Sequence, residues 1–463
     1  MGALEKQTRR KIFYAMVLAF AVVAPLAILY SRGYVFDLHG GGLVATGGVF
    51  VKTIQPGARV FVNSDFSRET SFISRGALIT NLLPKRYAVR VEKDGFKTWS
   101  KVVRVANEEV LEFRNIFLPP ATITPRAIYS TRNRLATRLV PLPGRREVAL
   151  EVGNPNRPFT VSVVHPDTGL APLAFVKVSK WHWDPQSRTF VVGRVLDGQL
   201  RWYRLRIGGE EREEAVAFRG LPSDFSAEAL IPHPTDADAF YFFAGDALFL
   251  QGRSSVPVPI AEQLHAFAIG RERIYFLSKN GFFASSDLTG GDTKILGRKG
   301  LLLDDGAPAR IIVSPRGDVV AFDAANGLFL YQPERDQELE LIAGNVEGVD
   351  FSASGDRLLY WDEHRLWIYW LRDNPEQPFD LARTRKQVYY SDPAVASAFL
   401  DADGAHIYFA TERGIQMVEV DDRAGVNAYR LVEQAPDGFA IDPLRLILYW
   451  LSGATLFRAA LNP

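Results

Sequence analysis

The stretch from Ala121 to Pro463 repeats itself, and nothing else in the chain narrows its fold as much. Each copy is a turn, an apolar strand, a tight polar or Gly turn, and a second apolar strand. The clearest copies read VSPRGDVVAFDAANGLFLYQ from Val313, FSASGDRLLYWDEHRLWIYWL from Phe351, LDADGAHIYFATERGIQMVEV from Leu400 and IDPLRLILYWLSGATLFRAAL from Ile441. Weaker copies begin at Trp183, Pro232 and Ile269, and a further one begins at Pro141. Eight copies in this span leave about 43 residues each, the length of a four-stranded propeller blade and more than a leucine-rich, ankyrin or tetratricopeptide repeat needs. Helical repeats of similar length are excluded, because the segments alternate apolar with polar and turn at Asp-Gly and Asn-Gly. The expected fold is all-β, with a β-propeller of eight blades or, as the alternative, seven and a stray hairpin.

The last copy stops after its third strand, at Leu456–Leu461. Closure then needs a fourth strand from elsewhere, and ATITPRAIY (Ala121–Tyr129) is the expected donor, since an unpaired strand edge would be left open. Aromatic pairs recur at equivalent positions, as in Tyr360-Trp361, Tyr408-Phe409 and Tyr449-Trp450, where blades would stack. The turns Val313-Ser314-Pro315-Arg316-Gly317, Phe351-Ser352-Ala353-Ser354-Gly355 and Leu400-Asp401-Ala402-Asp403-Gly404 share a Phe-Ser-Pro-Asp-Gly-like form. In this the region resembles the propellers of the periplasmic Tol-translocation type and their WD-repeat relatives. The resemblance implies a fold that serves many functions.

The N-terminus has a different character. Lys6, Arg9, Arg10 and Lys11 precede an uncharged run from Ile12 to Tyr30, with Tyr14 and Tyr30 near its ends. A helix of about 19 residues spans roughly 28 Å, close to a hydrocarbon core. Only Arg32 follows closely, so the positive-inside bias places residues 1–11 as a cytoplasmic tip and everything after Tyr30 outside. A cleavable signal peptide is the competing reading, but its apolar region is usually about 7–15 residues and Leu29-Tyr30-Ser31-Arg32 is a poor cleavage site. Residues 31–48, broken by Gly40-Gly41-Gly42 and Gly47-Gly48, read as a stalk with at most one short strand.

Between the stalk and the repeats, residues 49–120 read as a small β-sandwich. Its apparent strands are Val49–Ile54, Ala58–Asn63, Arg86–Lys93, Phe96–Val105 and Val110–Leu118. Tyr87, Val89 and Val91 fall on one face, the period of a half-buried strand. Pro56-Gly57, Pro84-Lys85 and Asp94-Gly95 supply turns. The runs Thr53-Ile54-Gln55-Pro56-Gly57-Ala58-Arg59-Val60, Asn81-Leu82-Leu83-Pro84-Lys85-Arg86-Tyr87-Ala88-Val89 and Lys93-Asp94-Gly95-Phe96 resemble the PEGA domain family. Lys85 stands where that family commonly has Gly, and Phe96 where it has Tyr. The resemblance implies an extracytoplasmic surface module without catalytic residues.

Charge and composition bound the function. Lys+Arg and Asp+Glu are nearly balanced, at 54 and 53, but residues 1–151 carry +12 and residues 152–463 carry −11. That balance argues against nucleic acid as a partner. With Cys absent, thiol catalysis, Cys-ligated metal and disulfides are excluded. No nucleophile elbow, zinc pair, phosphate loop or dinucleotide fingerprint is present. Trp181-His182-Trp183-Asp184-Pro185 reads as a packed strand with a turn Asp, Asp362-Glu363-His364 as a polar hairpin loop, and Asp401-x-Asp403-Gly404 as a turn that lacks the other ligands of a calcium loop. No catalytic, cofactor-binding or metal-ligating residue is assigned, and no cofactor is expected. Arg59, Arg68, Arg75, Lys85, Arg86 and Arg90 lie in a sandwich of net charge +5 and are expected to contact an anionic lipid or wall polymer. The expected protein is a single-pass envelope protein whose propeller binds a protein or a wall or surface-layer polymer. Alternatives are a glycan lyase or hydrolase with its site in the channel, and a purely structural spacer.

Overall fold

The computed structural model describes residues 6–462 apart from 32, 38–40, 132–134, 143–144, 155–156, 185–186, 208–212, 223–224, 254, 298–308, 318–319, 325–326, 334–338 and 443. Residues 1–5 of the expected cytoplasmic tip, Arg32, Gly40, Pro185, and the Asp318 and Val319 of one clear copy lie outside the described residues. By packing, the chain divides into two units. One holds residues 1–122 with 374–380 and 421–427, and the other holds the rest.

The first unit opens with α1 (Lys6–Ser31), continuous through Pro25. Its stretch Arg10–Ser31 is long and apolar enough to cross a membrane, and none of it is buried by the protein. The expected stalk is folded further than glycine content suggested. β1 (Tyr34–Asp37) and β2 (Gly42–Ala45) pair as an antiparallel hairpin, Tyr34 opposite Ala45 and Asp37 opposite Gly42. Seven strands follow: β3 (Gly47–Thr53), β4 (Arg59–Val62), β5 (Asp65–Glu69), β6 (Gly76–Leu82), β7 (Arg86–Glu92), β8 (Trp99–Arg104) and β9 (Val110–Ile116). They form two sheets, ordered β6-β3-β9 and β5-β4-β7-β8. Val49, Val51, Val60, Val89, Val91, Trp99 and Phe113 fill the space between them. Trp99 and Phe113 meet edge to face at 5.2 Å. Gln55, buried among apolar groups, has both polar atoms bonded: its Nε2 donates to the Leu118 carbonyl at 3.0 Å, and its Oε1 accepts from the Leu118 amide at 3.2 Å. Lys101 on β8 is only 3% exposed. Its ammonium donates to the carbonyls of Asp421 (2.5 Å), Arg423 (3.0 Å) and Gly425 (2.8 Å), all within this unit.

In the second unit, the strands among the described residues form six four-stranded sheets and one seven-stranded sheet. The four-stranded sheets span 229–261, 264–295, 310–343, 348–390, 395–432, and 438–460 joined by 126–130. The seven-stranded sheet spans 136–215, and its long strand Leu173–Asp184 explains the count. Up to Val178 that strand pairs with Phe159–Val164, and from Val178 on it pairs with Thr189–Leu196. Lys177, with φ 55°, bends it between the halves, so the strand ends one four-stranded set and starts the next.

The first strands of neighbouring sets pack on one another: 173–184 against 229–232, 264–269 against 310–313, 348–351 against 395–400, and 438–442 against 136–141. Apolar clusters lie between successive sets, among them Trp202, Leu230 and Phe242, then Tyr241 and Ile274, then Tyr275, Phe283 and Tyr331. Phe399 meets Phe439 at 5.1 Å, and Leu150 packs with Tyr449 and Leu451. Packing therefore runs from each set to the next and returns to its start, which is a β-propeller. The closing strand is present as expected. Arg126–Ser130 pairs antiparallel with Thr455–Ala460, with Ala127 opposite Phe457 and Ser130 opposite Thr455.

The recurring turns have a physical basis. In 314–317, 352–355 and 401–404 the final Gly takes φ of 77°, 70° and 65°, and its amide closes the turn onto the Ser or Asp carbonyl at 2.8, 2.8 and 3.1 Å.

Candidate functional site

Five of the six sandwich cations fall at two ends of the domain, and the sixth, Arg90, lies within β7. β4 and β7 are neighbours, with Phe61 opposite Arg90 and Arg59 opposite Glu92. The Arg90 guanidinium lies over the Phe61 ring at 4.8 Å and pairs with Glu92 at 2.9 Å, while Arg59 pairs with Asp94 at 2.5 Å. Two of the six therefore have carboxylate partners. β6 begins just after Arg75 and ends just after Asn81, whose Nδ2 donates to the Tyr30 hydroxyl at 3.3 Å. Arg75, together with Arg68 and Arg59, thus lies at the end of the sandwich remote from α1. Lys85 and Arg86 lie at the near end. There the register places Arg104 directly opposite Arg86, a residue that the expected set omitted. Glu108, which accepts from Tyr34 at 3.3 Å, shares this end. The alternation of Trp99–Arg104, buried and exposed in turn, was the available signal for Arg104.

In the second unit, the turns after the first strands converge at one end of the ring. A cavity of about 310 Å³ is lined by His182 and Asp184 of one set, Pro232 and Pro234 of the next, Gly270 and Arg271 of the third, and Ser314 and Pro315 of the fourth. His182 and Asp184 alternate along the strand with Trp181 and Trp183, which turn the other way. Trp183 packs on Phe190 at 4.5 Å, and Trp181 Nε1 donates to Glu151 at 2.7 Å. His182 is exposed at the cavity wall, yet the many protein groups of the neighbouring sets around it desolvate its imidazole and hold it below its ordinary value, with Asp184 pulling the other way. It is therefore neutral at pH 7 and offers one donor and one acceptor. Asp184 Oδ2 accepts from the Ser187 amide at 2.8 Å, so the turn role expected for it is present.

A second cavity, of about 660 Å³, continues around the same end between the last set and the first. Leu142, Val148 and Ile441 give it apolar walls, with Arg145, Arg146, Glu147, Asp442 and Arg445 beside them. Arg145 is bidentate to Glu147, at 3.0 and 2.7 Å. Burial raises the Glu147 carboxyl, but the Arg145 hydrogen bond together with a backbone hydrogen bond and the charges of Arg145 and His165 holds the group below its ordinary value. None of these turn residues was singled out from the sequence. Their signal was positional, since each follows the first strand of its copy and such turns meet only when the ring closes.

The other candidates serve their turns. Asp401 accepts from the Ala405 amide at 2.7 Å and pairs with His406 at 2.7 Å. Asp362 accepts from the His364 and Arg365 amides at 3.0 and 2.8 Å, and His364 Nδ1 bonds the Ser391 carbonyl at 3.0 Å. Among the described residues, no three His, Asp or Glu side chains come together as a metal-binding group.

With the two-sheet sandwich and its buried Gln55 described, the comparison of sequences is decisive for that part of the chain. Residues 46–119 match the PEGA domain. Its two departures from the common pattern are explained locally. Lys85 of the PEGA domain has no positive φ, so the turn does not require Gly, and Phe96 packs against the domain core beneath Lys93, whose ammonium lies 5.4 Å from the ring. No curated protein matches the chain in sequence. Among solved structures the chain is similar to the β-propeller domain of Cps50 (Swd1) from Myceliophteria thermophila, with 13% identity over 73% of this chain and 99% of that one and a TM-score of 0.43. It is similar also to the computationally designed Ika8 protein (12% identity, 72% and 99% coverage, TM-score 0.48). Sqt1 of Saccharomyces cerevisiae is a third (11%, 73% and 99%, 0.47). A PEGA domain joined to a propeller suits a binding or scaffold role.

Proposed function

We propose that this protein is a non-catalytic, membrane-anchored binding scaffold of the cell envelope, with an eight-bladed propeller that holds a protein or a surface polymer at the mouth where the first-strand turns converge. One observation carries the reading: two cavities lined by the turns at that mouth draw their walls from successive blades around the ring. Such a concave site, made of many short contributions, favours recognition of a projecting group over chemistry at one point. The count of eight is supported by the shared strand Leu173–Asp184, which serves two four-stranded sets. α1 is taken as the anchor, with the PEGA domain outside the membrane and Lys85, Arg86 and Arg104 turned toward its headgroups. The test uses the full chain in nanodiscs mixed with solubilised envelope material. Arg271→Glu, in the mouth, is expected to cut retention of the bound component about tenfold, while Arg201→Glu, outside it, leaves retention unchanged. Equal retention by both variants removes the mouth as the binding face. Release of sugar from a polysaccharide panel replaces the scaffold with a glycan-active enzyme.

A further inference from the structure

The larger cavity contains an unmet hydrogen-bonding demand. Tyr449 lines it and is only 1% exposed, yet its hydroxyl has no hydrogen-bond partner among the described residues. A buried, unpartnered hydroxyl is costly, by about 1–3 kcal/mol, and asks for an explanation. Tyr275, four sets earlier in the ring, is its counterpart. Both are the third residue of their blade's second strand, Arg273–Ser278 and Ile447–Ser452. Tyr275 donates to the Gly317 carbonyl, in the first turn of the following set, at 3.2 Å. Tyr449, which lines the cavity, has no such acceptor among the described residues, and neither does Tyr408 at the same position of the preceding set.

The charges beside it are unequal. Arg145 is occupied by Glu147 and also lies 5.8 Å from the Trp183 ring. Arg445 reaches Asp442 at 3.4 Å. Arg146 is exposed, and its charge acts on Asp167, which is itself paired with Arg458. Three guanidinium groups against two carboxylates leave one positive charge at the rim of an apolar pocket. We propose that this cavity is a binding site for a small amphiphilic carboxylate, its apolar body against Leu142, Val148 and Ile441 and its carboxylate accepting from Tyr449 and facing Arg146. The volume, about 660 Å³, is within the range of small-molecule pockets. Burial pushes the Tyr449 phenol up to about 12, so it is a hydrogen-bond donor at physiological pH. The cavity is one of the two at the mouth, so this assignment rests on the proposed binding role of that face and narrows the chemistry of what it takes.

The test uses the full chain in nanodiscs, titrated calorimetrically with 4-phenylbutyrate and with 4-phenylbutanol as its neutral counterpart. One saturable site is expected, with the acid bound about tenfold more tightly than the alcohol. Arg146→Ala should abolish that preference. Tyr449→Phe should weaken acid binding without lowering the melting temperature of the unliganded protein, because its hydroxyl contributes no internal bond. Ala402→Trp, which fills the cavity from its rim, should remove binding of both compounds at an unchanged melting temperature. Absence of saturable binding, equal affinity for acid and alcohol, or a melting temperature lowered by Tyr449→Phe would each overturn the assignment.

Discussion

Asp350 is the carboxylate whose environment most contradicts its charge. It lies on the first strand of its blade, where its Oδ2 accepts from the Leu400 amide at 2.9 Å on the next. Burial raises its carboxyl to about 6, against the pull of the amides of Leu400 and Phe351. Because the folded value exceeds the unfolded one, the fold favours the protonated form. Its stabilising contribution is full below about pH 4 and is lost as pH rises through about 6, a difference on the order of 2–3 kcal/mol. Asp350→Asn keeps the acceptor and removes the titration. It should raise the melting temperature at pH 7.5 and leave it unchanged at pH 4, as read by calorimetry at the two values. Lys101 is the opposite case, a buried charge whose three protons all have carbonyl acceptors. Lys101→Met leaves three carbonyls without donors and should cost about 3 kcal/mol or more, measured as a lower denaturant midpoint. Neither role was visible in the sequence. Each depends on an acceptor or donor brought close from far along the chain, 50 residues away for Asp350 and more than 300 for Lys101.

At the scale of elements, the strand Arg126–Ser130 completes the sheet that the last repeat leaves short. Its need could be read from the final copy, which ends one strand early. The pairing residues begin at Arg126, later than the expected Ala121, because residues 121–125 make no strand. A chain beginning at Asn133 retains every evident repeat but exposes the edge Thr455–Ala460. It should aggregate or melt at a lower temperature than one beginning at Ala121. Equal melting temperatures would show that the ring closes without that strand. Strands with strong alternation were legible, as in Arg86–Glu92 and Trp99–Arg104. β5 was not, because all five of its residues are exposed and it has no apolar face to give a period. β6 was obscured by Asn81, which takes φ 61° inside the strand. The hairpin of β1 and β2 was hidden by the glycines around it, whose freedom suits a tight turn as well as a linker.

For the whole molecule, the testable matter is orientation. With Lys6, Arg9, Arg10 and Lys11 inside, protease added to intact protoplasts should digest the propeller. Protection of the propeller would reverse the topology, and replacing the four cations with Gln should weaken it. The sequence by itself determined the all-β character, the apolar helix, the PEGA domain and the repeating unit, because each is written in local periodicity and turn chemistry within a few tens of residues. Only the tertiary structure decided where function could reside. It separated Lys85, Arg86 and Arg104 from Arg59, Arg68 and Arg75, and it brought residues 141–148, Ala402 and Tyr449 around one cavity. The reason is that strand register and ring closure set those neighbours. Register joins strands tens of residues apart in the sandwich, ring closure joins segments hundreds of residues apart, and no local pattern encodes either.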